Sequence, residues 1–217
     1  MFISEFLAAL EKEVPLAAAG YARDAIGLQV GLAKATKLNA ALFAYEVTRD
    51  IIAEAKQRKA NLIIAFHPLI FPTIDGVTDE TRTGTLIHEL VKSDIALYIL
   101  HTAFDTHAEF GTSRLMAEAL KLENIRTLSE NPLARLKTGF PDGTGMGALG
   151  SWSKAKSWRE VLALTAKTFR TDTVRHNEKT PEKIKHVALL GGAGMEFYDD
   201  AVSVGADAFI YSRCSLP

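Results

Sequence analysis

The chain has 217 residues, 47% of them hydrophobic and 24% charged, enough apolar side chain to bury one substantial core or two smaller ones and enough charge to solvate the outside. A formal net charge of -1, with no long run of like charge, gives no electrostatic case for nucleic acid or an anionic membrane surface as partner. A single cysteine, Cys214, excludes an internal disulfide and a thiolate zinc cluster; no stretch reaches the length of a bilayer-spanning helix, and MFISEFLAALEKEV lacks the basic flank and apolar block of a signal peptide, so a cytoplasmic protein is expected.

Ile3, Phe6, Leu7, Leu10 and Val14 recur at helical spacing until Pro15 and Gly20 close the run, which predicts an amphipathic opening helix over one face of a sheet. After AIGLQVG, strand-like and helix-like segments alternate: NAALFAY, a helix from Thr48 to Arg58, NLIIAF, a helix around Gly84 to Lys92, IALYIL, and a helix from Thr112 to Leu120. Such alternation predicts a doubly wound α/β layer. From about Leu122 to Gly150 the periodicity fades among Pro132, Pro141 and the glycines of GFPDGTGMGALG, marking a lobe boundary or a long functional loop.

A second alternation follows. It comprises a strand near GALGSW, a helix opened by Ser157 with Glu160 three residues on as a capping box, a polar strand around TDTVRH, then HVALL, a helix from Met195 to Val204, and DAFIY. The expected class is α/β, with two lobes of largely parallel or mixed sheets flanked by helices: residues 1–122, which carry the candidate site motifs, and residues 123–217.

The run NLIIAFHPLIF, Asn61 to Phe71, is almost wholly apolar to Phe66 and then changes character. Pro68 has no amide donor and cannot continue a central strand, so His67 belongs at the strand's C-terminal end. IALYIL likewise ends in HTAFD, releasing His101 and Asp105 at the same kind of edge, where open α/β sheets bind ligands. If the two strands are parallel neighbours, His67, His101 and Asp105 converge on one cleft. Imidazole nitrogen with carboxylate oxygen suits zinc, manganese or iron(II), and a carboxylate can bridge two metals. A single strand-end histidine is more often a hydrogen-bonded structural residue; two such strand ends argue for a site.

His107 is a further candidate from the same loop, whereas His88, His176 and His186 read as structural or solvated. LLGGAGMEF, Leu189 to Phe197, runs from a strand through glycines toward a helix. Exposed amides there can hold an anion, but a tight turn alone explains the glycines, and the motif matches neither the dinucleotide fingerprint nor the phosphate loop. With no GxSxG elbow and no histidine motif around Cys214, covalent serine or cysteine catalysis is not expected.

Taken in order, these blocks resemble a family. AIGLQVG, ANLIIAFHPLIF, DIALYILHTAFD, GMGALG and VALLGGAG followed by GADAFI have the order and approximate spacing of the NGG-one-interacting factor three-like (Nif-three-like) dinuclear metal-centre proteins, also labelled GTP cyclohydrolase 1 type 2 homologues. The resemblance runs over nearly the whole chain. It implies two α/β lobes, a toroidal homo-hexamer and a two-metal site, hence a metal-dependent hydrolase acting on a small molecule of the cyclic amide or phosphoester class. His67 and Asp105 match metal ligands, with His101 orienting water or serving as general base; zinc, manganese or iron would be the cofactor.

The sequence departs from the family pattern at several positions. Phe66 stands where the first of two adjacent histidines is expected, Ala103 where asparagine is usual, and Ala148 where arginine is frequent. After GADAFI the family pattern continues to a histidine and a glutamate that complete the metal site; here the sequence reads YSRCSLP. A degenerate metal site is therefore expected, with a non-catalytic oligomeric scaffold or regulatory protein that has lost the metal as the alternative.

Overall fold

Ile3 and Leu7 fix the inner face of the first helix, α1 (Ile3–Glu13), as their spacing predicts; the Glu5 carboxylate accepts from the Phe2 amide at 2.7 Å to close its N-terminus. The computed structural model describes residues 1–21, 23–130, 140, 142–178 and 180–212. Pro132, Pro141 and Cys214 lie outside the described residues, as do positions 213–217 of the final YSRCSLP.

The chain divides into two compact units, Met1–Phe104 and Asp105–Pro217. The first contains β1 (Gly27–Val30), β2 (Ala41–Ala44), α2 (Arg49–Gln57), β3 (Leu62–Ala65), α3 (Arg82–Lys92) and β4 (Ala96–Ile99), and α4 (His101–Asp105) starts at its end. Its sheet has the order β1-β4-β3-β2; β2, β3 and β4 run parallel and β1 runs antiparallel to β4. Every residue of β3 and β4 is buried, because the sheet is covered on both faces and the side chains alternate between two cores. Ile63, Ala65, Leu97 and Ile99 meet Ile52 and Ala55 of α2 and Leu86 and Leu90 of α3. Leu62, Ile64, Ala96 and Tyr98 meet Ile3, Leu7 and Val14. Each fully buried aliphatic side chain contributes about 2 kcal/mol of transfer free energy, which is why these short strands hold together.

The second unit contains α5 (Thr112–Ala119), β5 (Glu123–Glu130), β6 (Gly145–Lys156), α6 (Trp158–Phe169), β7 (Ile184–Leu190), a 3-10 turn at Met195–Phe197, α7 (Tyr198–Ser203) and β8 (Ala208–Tyr211). Its sheet has the order β5-β6-β7-β8, antiparallel except for the parallel β7–β8 pair. Ala117 and Leu120 at the end of α5 pack with Trp152, Val161, Val187 and Leu189, and the Trp152 indole donates to the Leu120 carbonyl at 2.9 Å. This packing joins α5 to the second sheet, within the unit that begins at Asp105.

The class is α/β, with mixed sheets flanked by helices, as expected. Three local expectations need correction. The stretch where periodicity faded contains an eight-residue strand, β5, whose pattern is obscured because Leu128 is its one buried position. TDTVRH forms no strand: residues 171–173 and 175–176 are exposed, leaving little apolar surface for a sheet to cover. The segment from Met195 to Val204 splits into a 3-10 turn and a short helix. The capping box is present at α6: Ser157 Oγ accepts from the Glu160 amide and the Glu160 carboxylate accepts from the Ser157 amide.

Among the described residues no helix is long and apolar enough to cross a membrane.

Candidate functional site

β3 and β4 are parallel neighbours with Ala65 opposite Ile99, so the residues that follow them leave the sheet at one edge. Backbone pairing extends past the strands: the His67 amide donates to the Tyr45 carbonyl at 2.8 Å and the His101 amide to the Phe66 carbonyl at 3.0 Å. Tyr45, Phe66, His67 and His101 are thereby set side by side. Tyr45 and Phe66 stack, with ring centroids 5.5 Å apart and planes inclined by 4°. His67 lies 4.5 Å from the Tyr45 ring, 5.1 Å from Phe66 and 6.0 Å from His101. Partial burial, with the neighbouring His101 adding to it, holds the His67 imidazole below its usual pKa and favours the neutral ring, against the opposing pull of Glu46 toward the charged one.

The chain turns at Pro68, and Gln29 of β1 receives it. Gln29 Oε1 accepts from the Leu69 and Ile70 amides, both at 3.0 Å, while its Nε2 donates to the Ile70 carbonyl at 3.2 Å and the Ala25 carbonyl at 3.1 Å.

His101 is held from behind. Its Nδ1 lies 2.7 Å from Oδ1 of Asp24, a carboxylate whose side chain is only 3% exposed. Asp24 also accepts from the Ala25 amide at 2.8 Å, the Thr102 amide at 3.2 Å and the Thr102 hydroxyl at 2.5 Å. Burial pushes the Asp24 carboxyl up, but the hydrogen bonds and charge of His101 and Thr102 outweigh it and leave the carboxyl below its ordinary value. Sequence reasoning missed Asp24 and Gln29. Both come from RDAIGLQVG, and what links them to the corner is the antiparallel register: Gly27 lies opposite Ile99, so residues just before β1 stand beside those just after β4.

Asp105 and His107 belong to the second unit. The Thr112 hydroxyl donates to Asp105 Oδ1. Asp105 and His107 line a small cleft of about 20 Å³, room for roughly one water, together with Arg114, Arg126 and Thr127. His107 Nδ1 accepts from the Glu109 and Phe110 amides at 3.1 Å, so the neutral ring carries its proton on Nε2 and offers no free lone pair to a metal. The other histidines are as expected: His88 is exposed, His176 lies 5.2 Å from the Trp158 ring, and His186 is an exposed neighbour of Asp207. In the glycine turn after β7, the Gly191 amide donates to Ser113 and the Gly192 amide to Ser212, so these two donors are engaged in making the turn.

Among the described residues no group of three or more His, Cys, Asp or Glu side chains is placed to hold a metal ion. With Phe66 supplying a ring that cannot coordinate and His107 committed to its turn, the donor set among the described residues does not fit a two-metal centre.

Residues 1–213 match the sequence profile of Duf34/NIF3 (NGG1p interacting factor 3). The chain belongs to the Duf34/NIF3 family. Among NIF3-family relatives, a GTP cyclohydrolase 1 type 2 homolog of Streptomyces coelicolor is 30% identical over 211 residues, covering 96% of this chain and 71% of the relative. Its namesake in Clostridium perfringens is 29% identical over 187 residues, 86% of this chain and 68% of the relative. Two solved structures share the NIF3 fold. Staphylococcus aureus protein SA1388 superposes with a TM-score of 0.85 at 23% identity, covering all of this chain and 80% of that one. A Bacillus cereus protein related to NIF3 does so with 0.84 at 22% identity, covering 98% and 82%.

Proposed function

We propose that this NIF3-family chain is a non-catalytic, homo-oligomeric scaffold or regulatory protein whose two-metal corner is degenerate. One observation carries the reading: Phe66 occupies the position that the resemblance gives to a ligand histidine, and its ring stacks on Tyr45 and abuts His67. Self-association is supported by apolar side chains displayed on both edges of the first sheet, Leu28 on β1 and Phe43 on β2, which are costly to leave in water. The test is elemental analysis together with native mass spectrometry of protein purified without chelator or histidine tag. An oligomer with far less than one divalent metal per chain is expected; a monomer carrying close to two would overturn the reading.

A second reading is a metal-dependent hydrolase of the cyclic amide or phosphoester class, with His67 and Asp105 holding zinc, manganese or iron and His101 as base. It is favoured by the buried carboxylate behind His101, the partner that orients functional imidazoles. On this reading Asp105→Ala abolishes both metal and activity, and full metal occupancy in that variant rules it out.

A further inference from the structure

We propose that Asp24 is a positioning residue that fixes His101 as an Nε2 hydrogen-bond acceptor, so that the corner recognises an O–H or N–H donor without a metal. This goes beyond the scaffold reading and does not depend on it. Three observations converge.

First, the direction of the hydrogen bonds is determined by the donors present. The Gly20 amide donates to Thr102 Oγ1 at 2.8 Å, which leaves the Thr102 hydroxyl proton for Asp24 Oδ2, 2.5 Å away. With the Ala25 and Thr102 amides also donating to it, Asp24 acts as an acceptor only. The nitrogen facing it, His101 Nδ1, therefore carries the proton, which makes Nε2 the acceptor nitrogen of the neutral ring.

Second, a carboxylate this deeply buried is costly unless it is paired and hydrogen-bonded, and here each bond that stabilises it also defines the orientation of His101.

Third, His101 has φ of 37°, a left-handed conformation uncommon outside glycine. Its amide is bonded to Phe66 and its ring to Asp24, so both ends of a strained residue are held in place at a strand end, where such strain accompanies function.

The test is the tautomer, read by long-range proton–nitrogen NMR on chelator-treated protein carrying 15N-labelled histidine, in buffer alkaline enough for neutral imidazole. His101→Gln identifies the His101 signals among those of the six histidines. The wild-type ring is expected to be protonated on Nδ1, with that proton shifted far downfield by its carboxylate bond. A wild-type ring protonated on Nε2 overturns the proposal without recourse to any further variant. Asp24→Ala is expected to return the ring to the Nε2–H form that free histidine prefers, with the remaining histidine signals in place. An unchanged tautomer in that variant would show that Asp24 does not set it.

Discussion

Gln29 clasps Ile70 through both ends of its side-chain amide, accepting from the Ile70 N–H at 3.0 Å and donating to the Ile70 carbonyl at 3.2 Å. This anchors the chain two residues beyond Pro68, where it would otherwise leave the sheet with its polar groups unpaired. Gln29→Ala leaves the Leu69 and Ile70 amides without their acceptor. A loss of about 2 kcal/mol in urea unfolding is expected, with faster amide exchange at those two residues. Unaltered exchange there would mean that the turn holds itself.

Gly84 offers a case in which helix propensity points the wrong way. Alanine inside a helix is normally worth up to about 1 kcal/mol over glycine. A Cβ on Gly84, however, would stand 1.9 Å from the Thr78 carbonyl oxygen and 2.8 Å from the Thr78 nitrogen, both backbone atoms. Overpacking should win, lowering stability by about 2 kcal/mol. A stabilised Gly84→Ala protein would show that the 72–80 segment moves aside at little cost.

Tyr98 is buried and donates to Glu11 at 2.6 Å; burial first, then the bond to the carboxylate, raises its phenol pKa above the ordinary value of about 10. The folded state thus keeps a proton that the unfolded state releases above about pH 10. The stabilisation is complete below that pH and is lost as pH rises toward the folded-state pKa, at about 1.4 kcal/mol per pH unit. Tyr98→Phe should cost about 1 kcal/mol at neutral pH and should remove this alkaline slope. Identical slopes for the two proteins would contradict the assignment.

Phe66→His puts a second imidazole beside His67. If the aromatic ring is what spoils the corner for metal, zinc or manganese binding should tighten by at least the roughly tenfold that even an outer-shell partner is worth. Titration against a competing chelator measures this. Affinity equal to wild type would place the defect elsewhere.

Much of the first unit was legible because β3 and β4 are buried on both faces and the helices are amphipathic, so these two strands and the helices that cover them follow the hydrophobic pattern closely. β5 was hidden because an edge strand with one buried side chain has no period to read, and Asn124 at φ of 52° interrupts it near its start. His67 and His101 were findable as residues that end parallel strands. Asp24 was not: it lies 77 positions from His101, in a turn without periodicity, and only the direction of β1 brings the two together.

That direction also constrains chain length. Asp24 precedes β1 and Gln29 lies within it, so one short segment delivers both the residue behind His101 and the residue that holds the turn after His67. Inserting or deleting a single residue between them would turn β1 over, sending buried Val30 outward and parting at least one of these side chains from its target. Between Asp24 and Gln29, residue count is therefore less negotiable than residue type. Indel scanning should find this one of the least forgiving stretches of the first unit, although Leu28 within it is exposed and open to substitution.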